Sequence, residues 1–284
     1  MSEADTEERK ARAADWFATL RDALCAAFEA IEDDHAGTGA GQPPGRFERT
    51  PWRRDGGGGG VMAIMRGRVF EKVGVNVSTV WGDFSEPIRR QIPGAADDPR
   101  FWAGGISLVA HMRSPLVPAA HMNTRHIRTT KAWFGGGADL SPSHPFDEDT
   151  ADFHAQLKAA CDGYNPRCHG EYRRWADDYF FIPHRGIARG VGGIFFDDLD
   201  SGHWERDFAF VQAVGRAFLD VFPGLIRRRM DLAWTEAERA RQLEHRGRYA
   251  EFNLIYDRGT RFGLMTGGNP DAVLMSLPPV ATWP

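Results

Sequence analysis

The run AHMNTRHIR, residues 120–128, packs two histidines, an asparagine and two arginines into nine positions. On a strand, side chains alternate between faces, so His121, Asn123 and Arg125 share one side. The upstream run GGISLVAHM puts Ser107, Val109 and His111 on one side by the same rule. If the two sides coincide, they gather two imidazoles, an amide, a hydroxyl and a guanidinium. Such a set suits an anionic ligand with a proton to move, although a polar, solvated sheet face has the same pattern. A second candidate is WFGGGADLSP, residues 133–142. No helix start with a Lys and Ser/Thr follows its glycines, so it is not a phosphate loop. The glycines instead clear side chains from a backbone that a broad, flat ligand must approach, leaving Asp139 as the one charge projecting there.

HRGIARGVGGIFFDDLD, residues 184–200, adds His184, Arg185 and Arg189. Its glycines precede a strand rather than open a helix, so they do not make a dinucleotide fingerprint. Asp197 and Asp198 point to opposite sides of that strand, and at most one faces inward. His111, His121, His154 and His184 are considered as ligands for a divalent metal, but no pair has HxxxH or HExxH spacing. Arg248, Glu251, Asp257, Arg258 and Arg261 crowd GRYAEFNLIYDRGTRFGLMTGG, which reads as a hairpin around RGT.

These groups need elements to hold them. Residues 5–34 read as an amphipathic helix carrying Trp16, Leu20, Leu24, Phe28 and Ile31. Residues 34–60, ending in GGGGG, read as a loop, with a mobile lid at 56–60 as one option. Residues 61–82 read as a hairpin. GGISLVAHM and AAHMNTRHIRT read as strands joined by an exposed SPLVP connection, and KAWFGG as another strand. Helices are expected at 147–161, in HGEYRRWADDYFFI, in HWERDFAFVQAVGRAFLDVF and in TEAERARQLEHR, with GIFFDDL as a strand. Strands fall in antiparallel pairs with helices between them. The expected fold is α+β, a large antiparallel sheet with helices on both faces, in a single domain spanning 1–284.

Composition sets limits. The chain has 284 residues, 42% hydrophobic and 26% charged, with a net charge of −4 that gives no field for nucleic acid. No apolar run reaches the ~18 residues of a membrane span, and the charged N-terminus lacks a secretory core. Cys25, Cys161 and Cys168 form no CxxC pair, which fits a reducing compartment, so the cytoplasm is expected. Lys10, Lys72, Lys131 and Lys158 are the only lysines among 35 basic residues. The remaining arginines suit a ligand with carboxylates, which they pair through two parallel hydrogen bonds.

Taken together, EKVGVNVS (71–78), the Ser107–His111 strand, HMNTR (121–125), WFGGGADLSP and WADDYFFIPHRGIARGVGGIFFDDL (175–199) closely resemble the oxygen-dependent coproporphyrinogen III oxidases. GRYAEFNLIYDRGTRFGL (247–264) and LMSLPP (274–279) extend the resemblance, which runs in the family's order from about residue 48 on. It implies a homodimeric enzyme of haem biosynthesis that converts two propionates of coproporphyrinogen III to vinyl groups. Molecular oxygen is the acceptor and no organic cofactor is needed. The resemblance makes Asp139 the acceptor for pyrrole N–H groups, His121 a proton donor, and Arg125 and Arg189 propionate partners. Ser107, Asn123, Thr124, Gly267, Gly268 and Asn269 match substrate-contacting positions. Asp257 and Arg258 match a supporting pair, and His111, His121, His154 and His184 the family's possible metal ligands. Asn269 and Ile187 depart from the family's usual Arg and acid. A tetrapyrrole-binding homologue without catalysis is the alternative.

Overall fold

The structure is a computed structural model and describes residues 2–283. Helix α1 (Glu3–Asp34) starts on a reciprocal capping box between Ser2 and Asp5. Phe17, Leu20, Leu24, Phe28 and Ile31 recur every three or four residues along it and are all buried. That stripe lies on a seven-stranded sheet with the order β1 (Glu48–Arg53), β2 (Gly58–Met65), β3 (Phe70–Asp83), β4 (Arg100–Met112), β5 (Ala119–Arg128), β6 (Ala132–Ser141) and β9 (Gly192–Leu199). Every neighbouring pair is antiparallel.

Strand alternation gives the sheet two unlike faces. One presents Val73, Val75, Leu108, Met122, Phe134, Ile194 and Phe196 to a core shared with α1, α3 (Asp147–Tyr164) and α5 (Trp204–Arg229). Helix α5 is the one helix among the described residues long and apolar enough to cross a membrane, and 56% of its apolar window is buried inside the molecule. The other face is small and polar, with Gly74, Asn76, Ser107, Asn123, Arg125 and Asp139. Helices α6 (Glu236–Ile255), α7 (Arg258–Met265) and α8 (Pro270–Leu274) belong to this side: α6 reaches Met112 through Gln242 and Arg246, and Met275, just past α8, sits over Gly74. Helix α4 (Cys168–Tyr179) packs beside β9, where Tyr179 stacks on Phe195 at 4.2 Å. Helices on both faces of a large antiparallel sheet are the expected α+β architecture.

Four local expectations are corrected. Residues 34–60 are not one loop: Glu48–Arg53 form β1, only Gly56 and Gly57 of the glycine run lie in the connecting turn, and Gly58, Gly59 and Gly60 belong to β2 rather than to a lid. A Cβ on any of them would lie 2.2–2.3 Å from a carbonyl oxygen of a neighbouring strand, so only glycine allows this approach. Residues 248–265 are not a hairpin: the first half continues α6 and the second forms α7. Tyr249, Phe252 and Asn253 are buried at helical spacing there, and an apolar run this short fits either period. SPLVP does join β4 to β5, but it is buried, because Gln242 of α6 donates to the Met112 and Ser114 carbonyls. The helix in HGEYRRWADDYFFI stops at Tyr179, and Phe181–Ile182 (β7) pairs with Ile187–Ala188 (β8) in a small second sheet.

Candidate active site

The register aligns the chemistry in rows across the polar face. Asn76 lies opposite Ser107, Ser107 opposite Asn123, and Asn123 opposite Gly137. One row along, Val109 faces His121 and His121 faces Asp139. On the other side, Gly105 faces Arg125 and Arg125 faces Gly135. The expected coincidence of the two polar strand faces is therefore present. Glycines at 105, 135 and 137 keep the floor flat. A Cβ at Gly135 would sit 2.5 Å from the Asp197 carboxylate and 2.8 Å from Arg125, so bare backbone lets that ion pair lie on the sheet.

A continuous hydrogen-bonded chain crosses this floor. Arg125 Nη2 lies 2.7 Å from Asp197 Oδ2, and its Nη1 donates to Asn123 Oδ1 at 3.4 Å. The Asn123 amide then faces His121 Nε2 at 3.0 Å, and His121 Nδ1 faces Asp139 Oδ1 at 2.9 Å. Because Nδ2 of an amide only donates and an ionised carboxylate only accepts, His121 carries its proton on Nδ1 and offers the Nε2 lone pair. Arg189 Nη2 donates to both Asp139 oxygens at 2.8 Å, and Nη1 reaches Asn253 Oδ1 at 3.1 Å. The rings of Phe180, Tyr249 and Phe252 surround the Arg189 guanidinium at 4.1–4.7 Å.

The two ends of the chain differ in solvation. The Asp139 and Arg189 side chains are 2% and 3% exposed, whereas Arg125 and Asp197 are 29% and 21% exposed. Burial works to raise the Asp139 carboxyl, but Arg189 and the His121 hydrogen bond outweigh it and hold the group below the usual carboxylate range. Two expectations change as a result. Asp139 does not project as a free charge onto the floor, since both its oxygens are occupied beneath it. Arg189 is not open to a propionate, since its charge is already matched inside the protein. His121, Asn123, Arg125 and Asp197 are the members of the chain that solvent reaches.

The sequence model of the family described as coproporphyrinogen III oxidase matches residues 12–284. The chain belongs to this family. It is 56% identical over 268 residues to an oxygen-dependent coproporphyrinogen-III oxidase of Rickettsia bellii, covering 94% of this chain and 96% of that protein. It is 56% identical over 272 residues to the Rickettsia felis protein of the same name and 54% identical over 272 residues to that of Rickettsia africae. Each match covers 96% of this chain and 97% of the relative.

The remaining residues singled out by the family resemblance scatter more widely. Ser107 lies on the floor. Thr124 does not: its side chain is fully buried on the helix-packed face, because it is one strand position out of phase with Asn123 and Arg125. Gly267, Gly268 and Asn269 form the α7–α8 turn, where Asn269 caps α8 through Asp271 and Ala272 and Gly267 takes φ 73°. Asp257 caps α7 through Thr260 and accepts the Tyr179 hydroxyl at 2.9 Å, while the Arg258 guanidinium lies over the Tyr179 ring.

The four histidines do not form one metal centre. His111 Nε2 meets the Ser276 carbonyl, His154 Nε2 the Val191 carbonyl, and His184 meets Glu251 and Tyr256. Among the described residues no three His, Cys, Asp or Glu side chains are grouped to hold an ion. His111 and His154 each keep a buried ring nitrogen without a partner among the described residues, but at separate places. Burial pushes His111 down to about 3, so it is neutral. Sequence reasoning missed the engagement of Arg125 by Asp197 and the contribution of β3 to the floor through Asn76. The alternation Gly74, Asn76, Ser78 on one side of β3 was the available signal.

Proposed function

We propose that this chain carries out the oxygen-dependent conversion of coproporphyrinogen III to protoporphyrinogen IX in haem biosynthesis, on the polar face of the sheet. The observation that carries the reading is the hydrogen-bonded chain from Arg125 to Arg189 across a glycine-flattened floor, in a member of this family. A tetrapyrrole is broad and flat, has carboxylates at its rim and presents N–H donors at its centre. Arg125 at one end of the chain meets a propionate. His121 Nε2, in the middle of the chain, takes a pyrrole proton once the substrate N–H displaces the Asn123 amide from it. Asp139 then stabilises the imidazolium through Nδ1, in the way a buried carboxylate orients a catalytic histidine. Arg189 keeps Asp139 ionised and oriented, so its part is played from beneath the floor. Ser107 and the Gly267–Asn269 turn contribute polar contacts at the sheet and the rim.

Each turnover balances as one propionate, one dioxygen and one proton giving one vinyl group, carbon dioxide and hydrogen peroxide. Dioxygen accepts the two electrons released as the carboxylate leaves and the adjacent carbon loses hydrogen. Residues 1–284 act as one unit, in the cytoplasm and as a homodimer. Support for the dimer comes from the exposed apolar side chains Leu254, Ile255, Leu264 and Met265 on α6 and α7, which are 44–62% exposed.

The test is to supply purified protein with coproporphyrinogen III in air and follow the porphyrin fluorescence of the re-oxidised product. Vinyl product is the expected outcome. Tight porphyrinogen binding without vinyl product would establish the non-catalytic binder instead. Sedimentation at micromolar concentration checks the dimer.

A further inference from the structure

Strand β1 sits at the outer edge of the sheet, and Trp52 is its one residue that is not exposed. The indole lies across Gly60, directly opposite on β2: a Cβ there would fall 2.8 Å from Trp52 Cζ2. From this seat Trp52 Nε1 reaches diagonally to Asn76 Oδ1 at 3.3 Å. An indole nitrogen only donates, so the Asn76 atom facing it must be the oxygen. The orientation of the amide is thereby fixed. Its Nδ2 points away from the indole with both hydrogens lacking a protein partner among the described residues.

Asn76 is half-buried and lies opposite Ser107 on the same floor as His121 and Arg125. Among the described residues the Ser107 hydroxyl has no protein partner either. Two neighbouring strands thus hold unspent polar groups in the middle of a glycine-rich face. A donor cannot pair with a pyrrole N–H, which is itself a donor, so the group that Nδ2 recognises is an acceptor. On a tetrapyrrole that acceptor is a carboxylate. Strand β3 is two strands from β5, roughly 10 Å at ordinary strand spacing, so Asn76 and Arg125 address different carboxylates of one flat ligand.

Resting on the reading of this face as the tetrapyrrole floor, we infer that Asn76 binds a second substrate carboxylate through Nδ2, and that Trp52, seated on Gly60, is the positioning residue that turns the amide toward it. The glycine run in β2 gains a purpose here, since a side chain at 60 would lift the indole off Asn76.

The experiment is steady-state turnover of coproporphyrinogen III by the full chain carrying Asn76→Ala, Asn76→Asp, Trp52→Phe, the Trp52→Phe/Asn76→Ala double substitution and Arg125→Ala. Loss of a hydrogen bond to a charged group should raise KM roughly tenfold to a hundredfold in Asn76→Ala, with kcat changed far less. Asn76→Asp keeps the acceptor for Trp52 Nε1, and with it the seat of the indole, but presents a negative charge; its KM should rise further. Trp52→Phe keeps an aromatic ring and loses the N–H, so KM should rise by less than in Asn76→Ala. The double variant should match Asn76→Ala alone, because Trp52 acts only through the amide. A wild-type KM in both Asn76 variants, with Arg125→Ala impaired, overturns the assignment of Asn76 and leaves the floor reading standing. Strictly additive effects in the double variant overturn the positioning role of Trp52. A wild-type KM in Arg125→Ala overturns the floor reading itself.

Discussion

Two arginine–aspartate pairs sit at opposite ends of one hydrogen-bonded chain, and only their surroundings differ. Arg189 and Asp139 are sealed beneath the floor among Phe180, Tyr249 and Phe252, while Arg125 and Asp197 lie on the floor in partial contact with water. A buried pair cannot lend its charges to a ligand, because separating them would strand an unpaired charge in low dielectric. A half-exposed pair can exchange partners at modest cost, since water screens both members. The same two residue types therefore fill two offices. One pair holds the imidazole of His121, and in the proposed function the other presents a guanidinium to an incoming carboxylate.

Substitutions can separate these offices. The largest effect is expected from Asp139→Asn, which leaves Arg189 buried without its counter-charge. Unfolding free energy should fall by about 3–5 kcal/mol and turnover should be lost, as measured by urea denaturation and by product formation. A stability loss below about 1 kcal/mol would show that water or rearrangement reaches Arg189 and would erase the contrast. Next comes Arg125→Lys, which removes the planar fork but keeps the charge; KM should rise roughly tenfold with little change in thermal midpoint. The acid limb of stability sharpens the comparison further. The Asp139 carboxyl is held below its usual range in the native state, so its contribution is complete above the unfolded value of ~3.9 and is lost as pH falls through the lowered native one. His111 adds to the same slope earlier, because the unfolded chain binds a proton below ~6.5 that the native ring, pushed down to about 3, refuses. Urea midpoints measured between pH 7 and pH 3 should decline in the parent, and Asp139→Asn should flatten the lower part of that decline. The smallest effect is expected from Asp197→Asn, where losing a half-exposed ion pair should shift stability by less than about 1 kcal/mol.

The polar floor was legible because strand alternation alone decides which side chains share a side. Once β4 and β5 were recognised, the grouping of Ser107, His121, Asn123 and Arg125 followed. The same rule, applied residue by residue, places Thr124 on the far side, against the position-by-position reading from the family resemblance. Residues 58–60 of the glycine run read as a loop because glycine is a weak strand former in isolation. What makes β2 a strand there is the close approach of the Trp52, Val77 and Thr79 carbonyls, which is a tertiary fact. RYAEFNLIYD alternates well enough to imitate a strand, and its helical face becomes visible only when Tyr249 and Phe252 are seen packed around Arg189. The union of Asp139 with Arg189 spans fifty residues and two intervening helices, a distance over which local patterning carries no signal.

Strands β1 to β6 follow one another in the chain and in the sheet, so each can zip onto its predecessor through a local connection. Arg189 follows α3 and α4 in the chain and stands just before β9, which closes the far edge, and its aromatic cage is completed by α6. A chain that has completed its meander but not this closure owns a floor whose acid has no cation beneath it. Recovery of turnover during refolding is therefore expected to lag recovery of sheet signal by the time taken to dock the final helices, which stopped-flow circular dichroism against product formation would check.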